Sequence, residues 1–351
     1  MKVIQVSEQE AGQRFDKFLS KYMSQAPKSF FYKMLRKKNI TLNGKKAEGM
    51  EKLQAGDEIK LFLADETIAK FRGMSQENTE PKQADCEPSG NEKQNSSGKK
   101  ELEYLEKLEI VFEDENILVV NKPMGMLSQK ANKEDVSLVE YITSHVMTKE
   151  ELKNSTFRPG ICNRLDRNTT GLVVAGKNIE SLQYLNQLFR ERTLQKYYLC
   201  LVKGKLSKRA DIDGYLKKDE KHNRVTISKE QTEGAVRIVT AYEPLENISW
   251  QGQDYTLLKV HLITGKSHQI RAHLKSIGHP LVGDTKYGEK SMYHLFKKEF
   301  GVRYQLLHAW KLCLGSPECL PQQYHGVTWK APLPEKFKEV LRGMGVKVER
   351  Y

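Results

Sequence analysis

The stretch Asn163-Arg164-Leu165-Asp166-Arg167-Asn168-Thr169-Thr170-Gly171 runs straight into Leu172-Val173-Val174-Ala175, a polar loop feeding an apolar segment. A short continuous aliphatic run reads as a buried strand, and a strand holds the loop at its entry rigidly. Asp166 stands between Arg164 and Arg167, a setting that favours the ionised carboxylate and suits a nucleophile or base better than an acid. The commoner fate of a lone Arg-Leu-Asp-Arg string is a turn cap or a local ion pair. This loop alone leaves both readings open.

Outward from it, strands and helices mix without a repeat. Ile110–Phe112 and Ile117–Val120 read as strands around the acidic turn Glu113-Asp114-Glu115-Asn116, and Tyr197–Val202 and Thr256–Leu262 as two more. A helix is expected from about Glu180 to Arg192. Strands and crossover helices do not alternate regularly, which points to an α+β fold with a mostly antiparallel mixed sheet. Gly171–Asn178 nearly spells a phosphate loop, but its intervening residues are strand-like and Asn178 replaces the magnesium-binding hydroxyl, so nucleotide hydrolysis is set aside.

A second polar cluster lies in Leu262-Ile263-Thr264-Gly265-Lys266-Ser267-His268-Gln269-Ile270-Arg271-Ala272-His273-Leu274. Ile270, Leu274 and Ile277 make one apolar helical face, and Gly278 with Pro280 ends the helix. Ser267, His268 and Arg271 occupy its first turns, where free backbone N–H groups favour an anion. A guanidinium there is placed to hold Asp166 by a forked contact. His268, His273 and His279 match no zinc spacing, so no metal is expected. Lys196-Tyr197-Tyr198 opens a strand; a tyrosine there is usually half-buried packing, and beside a basic cleft it can stack on a base.

The chain has 351 residues, enough for two domains. Its 58 Lys and Arg against 45 Asp and Glu give a net charge of +13, which points to a polyanionic partner, nucleic acid before membrane. No apolar run reaches the roughly 18 residues of a spanning helix, and the start, MKVIQVSEQEAGQRF, lacks the apolar core of a secretory signal. Five scattered cysteines form no disulfide framework. A cytoplasmic monomer is the expectation.

Between Arg72 and Glu101 there is no Val, Ile, Leu, Phe, Tyr or Trp, so residues 71–101 read as a flexible polar linker between a small domain, 1–70, and a larger one, 102–351. In the small part Phe15, Phe18, Leu19, Tyr22 and Met23 fall on one helical face, and Pro27 ends it. A second helix carries Phe30, Phe31, Met34 and Leu35 and ends in Arg36-Lys37-Lys38. Ile40–Lys45 reads as a strand entering an Asn-Gly turn, and Gly56–Ile59 as a turn into a closing strand. Cations at a helix end also suit the dipole. The convergence of Arg36, Lys37, Lys38, Lys45 and Lys46 on one edge favours phosphate binding. RFDKFL, the LNGK turn and the late Gly-Asp resemble the small S-four-like RNA-binding module.

Taken in order, NKPMGM at 121–126, RLDRNTTG at 164–171, KYYLCLVKG at 196–204 and LITGKSHQIRAHLKSIGHPLVGDTKYG at 262–288 resemble the RluA-type RNA pseudouridine synthases, from about Leu108 to Leu333. The resemblance implies isomerisation of uridine within a structured RNA, ribosomal before transfer RNA, without cofactor. It implies Asp166 as the essential carboxylate and Arg164 as the residue that helps extrude the uridine. Tyr198 would be the platform for the flipped base, and Arg271 the cation paired with Asp166. Lys122, Arg167, Lys266 and His268 join the basic residues expected to meet RNA. The sequence departs from the family pattern at Asn163, where His is usual, at Lys266, where Arg is usual, and at Thr170, where Ser is commoner. Two other classes fit parts of the pattern. A non-catalytic RNA-binding or ribosome-assembly factor would use the same positive charge. A base-releasing glycosidase would break the same bond, but normally needs a second carboxylate.

Overall fold

The structure is a computed structural model that describes residues 1–73, 108–132, 134–219 and 224–351. Beyond Gly73 the polar segment read as a linker lies outside them. The chain divides into two compact units, one of Met1–Glu106, Tyr141–Gly160 and Gly176–Gln183, the other of Lys107–Glu140, Ile161–Ala175 and Tyr184–Tyr351.

The N-terminal elements are β1 (Lys2–Gln5), α1 (Phe15–Tyr22), α2 (Lys28–Arg36), β2 (Ile40–Leu42), β3 (Lys45–Lys46), β4 (Glu58–Leu61) and α3 (Asp65–Arg72). Among the described residues the strands form a four-stranded sheet in the order β1-β4-β2-β3. Phe15, Phe18 and Leu19, one turn apart on α1, are fully buried with Met23, Phe31 and Leu35. Burial of each such side chain contributes about 1.5–3 kcal/mol, which is what turns the helical spacing into a helix here. Asn43 and Gly44 both take positive φ, 50° and 72°, the geometry a two-residue hairpin demands. Helix α3 carries the described N-terminal part to Arg72, two residues past the expected boundary at 70.

Glu10 is buried in the same unit. Its carboxylate accepts hydrogen bonds from the Thr156 backbone N–H at 2.6 Å, the Thr156 hydroxyl at 2.7 Å, the Ser155 hydroxyl at 3.2 Å and the Ser7 hydroxyl at 2.8 Å. Burial opposes its charge, but these donors outweigh that and hold its pKa below the usual glutamate value. Ser155 and Thr156 were expected in the larger domain; the carboxylate ties them to the N-terminal elements.

From residue 108 the order is β5 (Glu109–Glu113), β6 (Ile117–Lys122), α4 (Leu138–Val146), α5 (Lys149–Asn154), β7 (Gly160–Ile161), β8 (Thr170–Gly176), α6 (Ile179–Glu191), β9 (Gln195–Lys203), β10 (Ala210–Asp219), β11 (Arg224–Ser228), β12 (Val236–Trp250), β13 (Gln253–Leu262), α7 (Gln269–Ser276), α8 (Lys290–Phe300), β14 (Leu307–Cys313), β15 (Thr328–Lys330) and α9 (Glu335–Gly343). Among the described residues the long sheet runs β11-β10-β12-β13-β9-β14-β8-β6-β5, with β15 on β14. The pairs from β11 to β14 are antiparallel, whereas β14 and β8 are parallel. The fold is thus α+β with a mostly antiparallel sheet.

Helices cover parts of this sheet. Leu199, Leu201, Tyr255 and Leu257 pack in one cluster with Met292 and Phe296 of α8 and Phe337, Val340 and Leu341 of α9. Ile117, Val119, Leu172 and Val174 pack with Leu185 and Leu188 of α6. At the β8–β14 junction Gly171 has φ 112°, and a Cβ there would sit 2.2 Å from the Ala309 carbonyl oxygen. Only glycine lets the two backbones approach so closely.

Candidate active site

In the second unit a cavity of about 1040 Å³ opens between the loop before β8, the start of β9 and the start of α7. Asp166, Arg164, Arg167, Tyr198, Arg271, His268 and Lys266 all line it. The structure therefore brings seven of the residues expected at the site to one place from three separate stretches of sequence.

The Asp166 carboxylate accepts a 3.0 Å hydrogen bond from Arg271 Nη1. Arg271 donates from Nε at 2.7 Å and from Nη2 at 2.9 Å to Asp284, whose side chain is wholly buried. The backbone N–H groups of Lys286 and Tyr287 also donate to Asp284. Burial opposes the charge on Arg271, but Asp284 and Asp166 together raise its pKa above the ordinary arginine value. The guanidinium is thus held from behind and offers one edge to Asp166, a fixed cation that costs no reorientation when charge moves in the cavity.

His268 Nε2 lies 3.9 Å from the same Asp166 oxygen, and its Nδ1 meets the Tyr287 hydroxyl at 2.9 Å. That hydroxyl already accepts from the Val225 backbone N–H at 3.0 Å. The bond between hydroxyl and Nδ1 orients the ring with Nε2 toward Asp166. Burial, then Arg271 and Lys286, lower the pKa of His268 against the pull of Asp166, so the ring is neutral at pH 7. His268 itself takes φ 57°, a left-handed conformation that a non-glycine residue adopts only when its surroundings impose it. Gln269 fixes that turn, accepting from the Thr264 hydroxyl and the Lys266 N–H and donating to Val239 and Thr240.

The loop that presents Asp166 is laced to the NKPMGM segment. Ser128 bonds both the N–H and the C=O of Leu165, and the Gly125 N–H donates to the Arg167 carbonyl. Lys122 corrects one expectation. The sequence suggests an RNA contact, yet the lysine is fully buried, and its ammonium donates to the carbonyls of Pro123, Met126 and Arg167 at 2.9–3.1 Å. No donor is left for a phosphate. Burial lowers its pKa to about 7 against the attraction of Asp166.

Two of the three departures from the family pattern, Asn163 and Thr170, have local reasons. The Asn163 amide donates to the Leu172 carbonyl and its oxygen accepts from the Val174 N–H, so it pairs with β8 as a backbone would. The Thr170 hydroxyl bonds His308 Nδ1 at 2.8 Å, the bond a serine would also make.

Tyr198 is buried at the cavity wall, and burial together with the Asp166 charge pushes its phenol well above the usual tyrosine pKa. It stays neutral throughout the physiological range. Arg164 and Arg167 are exposed, the former donating to Gln129 and the latter to the Gly125 carbonyl. Arg36, Lys37, Lys38, Lys45 and Lys46 are exposed on the N-terminal elements of the first unit and take no part in the cavity. Among the described residues no group of three or more His, Cys, Asp or Glu is placed to hold a metal ion, and no helix is long and apolar enough to cross a membrane.

Sequence reasoning gave no role to Asp284 or Tyr287, which lie in the quoted Gly283-Asp284-Thr285-Lys286-Tyr287-Gly288. The available signal was weak: an Asp after a Gly just past a helix stop reads first as a turn residue.

The chain matches the sequence model of a family described as RNA pseudouridylate synthase over residues 116–276, a span that contains Asp166, Tyr198 and Arg271. An uncharacterised RNA pseudouridine synthase of Mycoplasma genitalium is 32% identical over 310 residues, 88% of this chain and 87% of that protein. The ribosomal large subunit pseudouridine synthase D of Nitrosomonas europaea is 30% identical over 337 residues, 95% of this chain and 85% of that one. Among solved structures, human RNA pseudouridylate synthase domain containing 4 superposes with a TM-score of 0.54 at 21% identity, covering 71% of this chain and 97% of the human one, a likeness of fold.

Proposed function

The chain belongs to the RNA pseudouridine synthase family and isomerises uridine to pseudouridine in RNA, and from that premise we propose that its target lies in large-subunit ribosomal RNA and that Asp166 is the essential carboxylate. The names of its relatives and the positive net charge support a ribosomal target; a monomer working in the cytoplasm fits that reading. The observation that carries the assignment of Asp166 is its single 3.0 Å bond from Arg271 in an open cavity walled by Tyr198.

In this reading the bond from ribose C1′ to uracil N1 breaks, the base turns, and a bond forms from C1′ to C5. N1 gains the hydrogen that C5 loses, so mass and redox state are unchanged and no cofactor is consumed. Asp166 starts the sequence as a carboxylate, either attacking C1′ or taking the 2′ proton. Arg271 keeps it aimed. A base inside a stack is out of reach, so the uridine is flipped out, with Arg164 filling the gap and the neutral Tyr198 ring lying against the base. The N-terminal elements act as an S-four-like module whose exposed cations add phosphate contacts.

Incubation with in vitro transcribed ribosomal RNA, followed by carbodiimide mapping, tests this. New reverse-transcription stops with the wild type, and none with Asp166→Asn, are expected. Bound RNA without stops would establish a binding factor instead, and released free uracil a glycosidase.

A further inference from the structure

Adjacent residues of a strand face opposite sides of its sheet, and Tyr197 and Tyr198 of β9 do so. Tyr198 faces the catalytic cavity, while Tyr197 lines a separate hollow of about 100 Å³ with Arg209, Ala241, Lys259 and His261. Direct pairing places one row of side chains across this reverse face, running Asp211, Ala241, His261, Tyr197, Lys311, Lys330 over six strands. Helices α8 and α9 cover the same face at Leu199 and Leu201 and stop short of the row.

The row has the parts of a nucleic-acid platform. The Tyr197 and His261 rings are stacked, with centroids 4.8 Å apart and planes 25° from parallel. Lys311 Nζ lies 4.7 Å from the Tyr197 centroid and 5.3 Å from that of Trp310, which the β-bulge between Ala309 and Lys311 adds beside the row. The methyl side chain of Ala241 leaves the hollow open beside the imidazole. Lys259 is tied to Glu243 at 2.5 Å, whereas Arg209, Lys311 and Lys330 have no ion pair among the described residues. Aromatic faces flanked by unpaired cations fit a base and its neighbouring phosphates.

We propose that this reverse face is a second RNA-binding site, where a single-stranded segment of the substrate stacks a base on His261 in the hollow and lays its phosphates along Arg209, Lys311 and Lys330. The proposal rests on the reading of the chain as an enzyme acting on RNA. Tyr197 and Tyr198 are consecutive near the start of β9, so a strand that delivers its uridine beside Tyr198 reaches Tyr197 by rounding that start. Lys259 engages the one carboxylate that lines the hollow, Glu243, which leaves the ring face and the cations there for a base and its phosphates.

The test uses the full chain and a fluorescein-labelled 20-nucleotide single-stranded RNA carrying 4-thiouridine. Replacing both rings, Tyr197→Ala with His261→Ala, should weaken binding about tenfold, and Tyr197→Phe should bind like the wild type. Lys311→Glu with Lys330→Glu, at exposed or half-exposed positions that a folded sheet tolerates, should flatten the slope of log affinity against log salt by about one unit. Photocrosslinks, assigned to single residues, should fall on Tyr197 or His261 as well as in the catalytic cavity. Affinity within twofold of wild type for both double variants, with no crosslink on Tyr197 or His261, would overturn the second site. Pseudouridine formation on ribosomal RNA by the wild type, measured in parallel, separates this failure from failure of the enzymatic reading.

Discussion

The Asp284 carboxylate holds the Arg271 guanidinium through two hydrogen bonds, of 2.7 and 2.9 Å, with none of the Asp284 side chain exposed. Arg271 is thereby left one free edge, and Asp166 occupies it. Breaking a buried pair from one side costs about 3–5 kcal/mol, because the remaining charge stays buried and unpaired. Asp284→Ala is expected to lower Tm clearly. Asp284→Asn keeps the shape and should cut kcat at least about tenfold while RNA affinity shifts less. A kcat equal to wild type would show that Arg271 needs no support.

Tyr198 is held neutral, which disfavours a phenolate base and fits the proposed part of its ring as a wall against the base. Tyr198→Phe should retain most of the activity and Tyr198→Ala lose about a hundredfold or more, the difference being the lost wall against the base. Single-turnover assays decide between them. A phenylalanine variant as poor as the alanine one would assign the hydroxyl a chemical part.

Lys122 gives a pH signature. Its pKa is about 7 in the folded chain and near 10.5 when unfolded. Below pH 7 both states hold the proton; between these values the unfolded state holds one more, so stability contributed at this site rises with pH. The unfolding free energy of the wild type minus that of Lys122→Met should climb by about 1 kcal/mol per pH unit from 7.5 to 9.5. Urea titrations at several pH values would reveal it, and a flat difference would place the lysine in a more solvated setting.

Glu10 predicts a slope of the same sign, displaced to the acid range. With its folded pKa depressed, its contribution is complete above the usual glutamate value and fades as pH falls through the folded one. Acid titration from pH 6 to 3 should melt the N-terminal elements earlier in Glu10→Gln than in the wild type at pH 6, with the two converging at the acid end. Proteolysis between residues 1 and 73 is a convenient readout.

Gly171→Ala forces a Cβ to within 2.2 Å of the Ala309 carbonyl at a φ of 112°. Both the clash and the backbone strain act where β8 and β14 join, so a large drop in Tm, or insoluble protein, is expected. A melt within 2 °C of wild type would contradict so close an approach.

Much of this was legible before any coordinates. The periodicity of Phe15, Phe18, Leu19 and Tyr22 is a burial pattern, and burial made the helix. Asn43-Gly44 needs positive φ, and took it. The helix start suggests a forked guanidinium contact to Asp166, and the family resemblance names Arg271; the structure gives a single bond to Asp166 and turns the fork on Asp284. Lys122 was misread because a lysine in a Pro-Gly loop usually reaches solvent, and only the fold brings three carbonyls around its ammonium. The grip of Asp284 and the tie from Glu10 to Thr156 were invisible for a related reason: each joins polar residues whose partner is chosen by packing, not by spacing. The row on the reverse face depends on register across six strands, which no single strand's pattern encodes.

The order β9-β14-β8 also bears on how the molecule is made. β8 carries the loop of Asp166 and β9 carries Tyr198, yet neither strand borders the other; β14, later in sequence than both, bridges them. Contacts so far apart in sequence close late and slowly. A nascent chain halted before Leu307 would contain both the Asp166 loop and Tyr198 without the strand that joins them, so the two walls of the cavity come together only once β14 has been made.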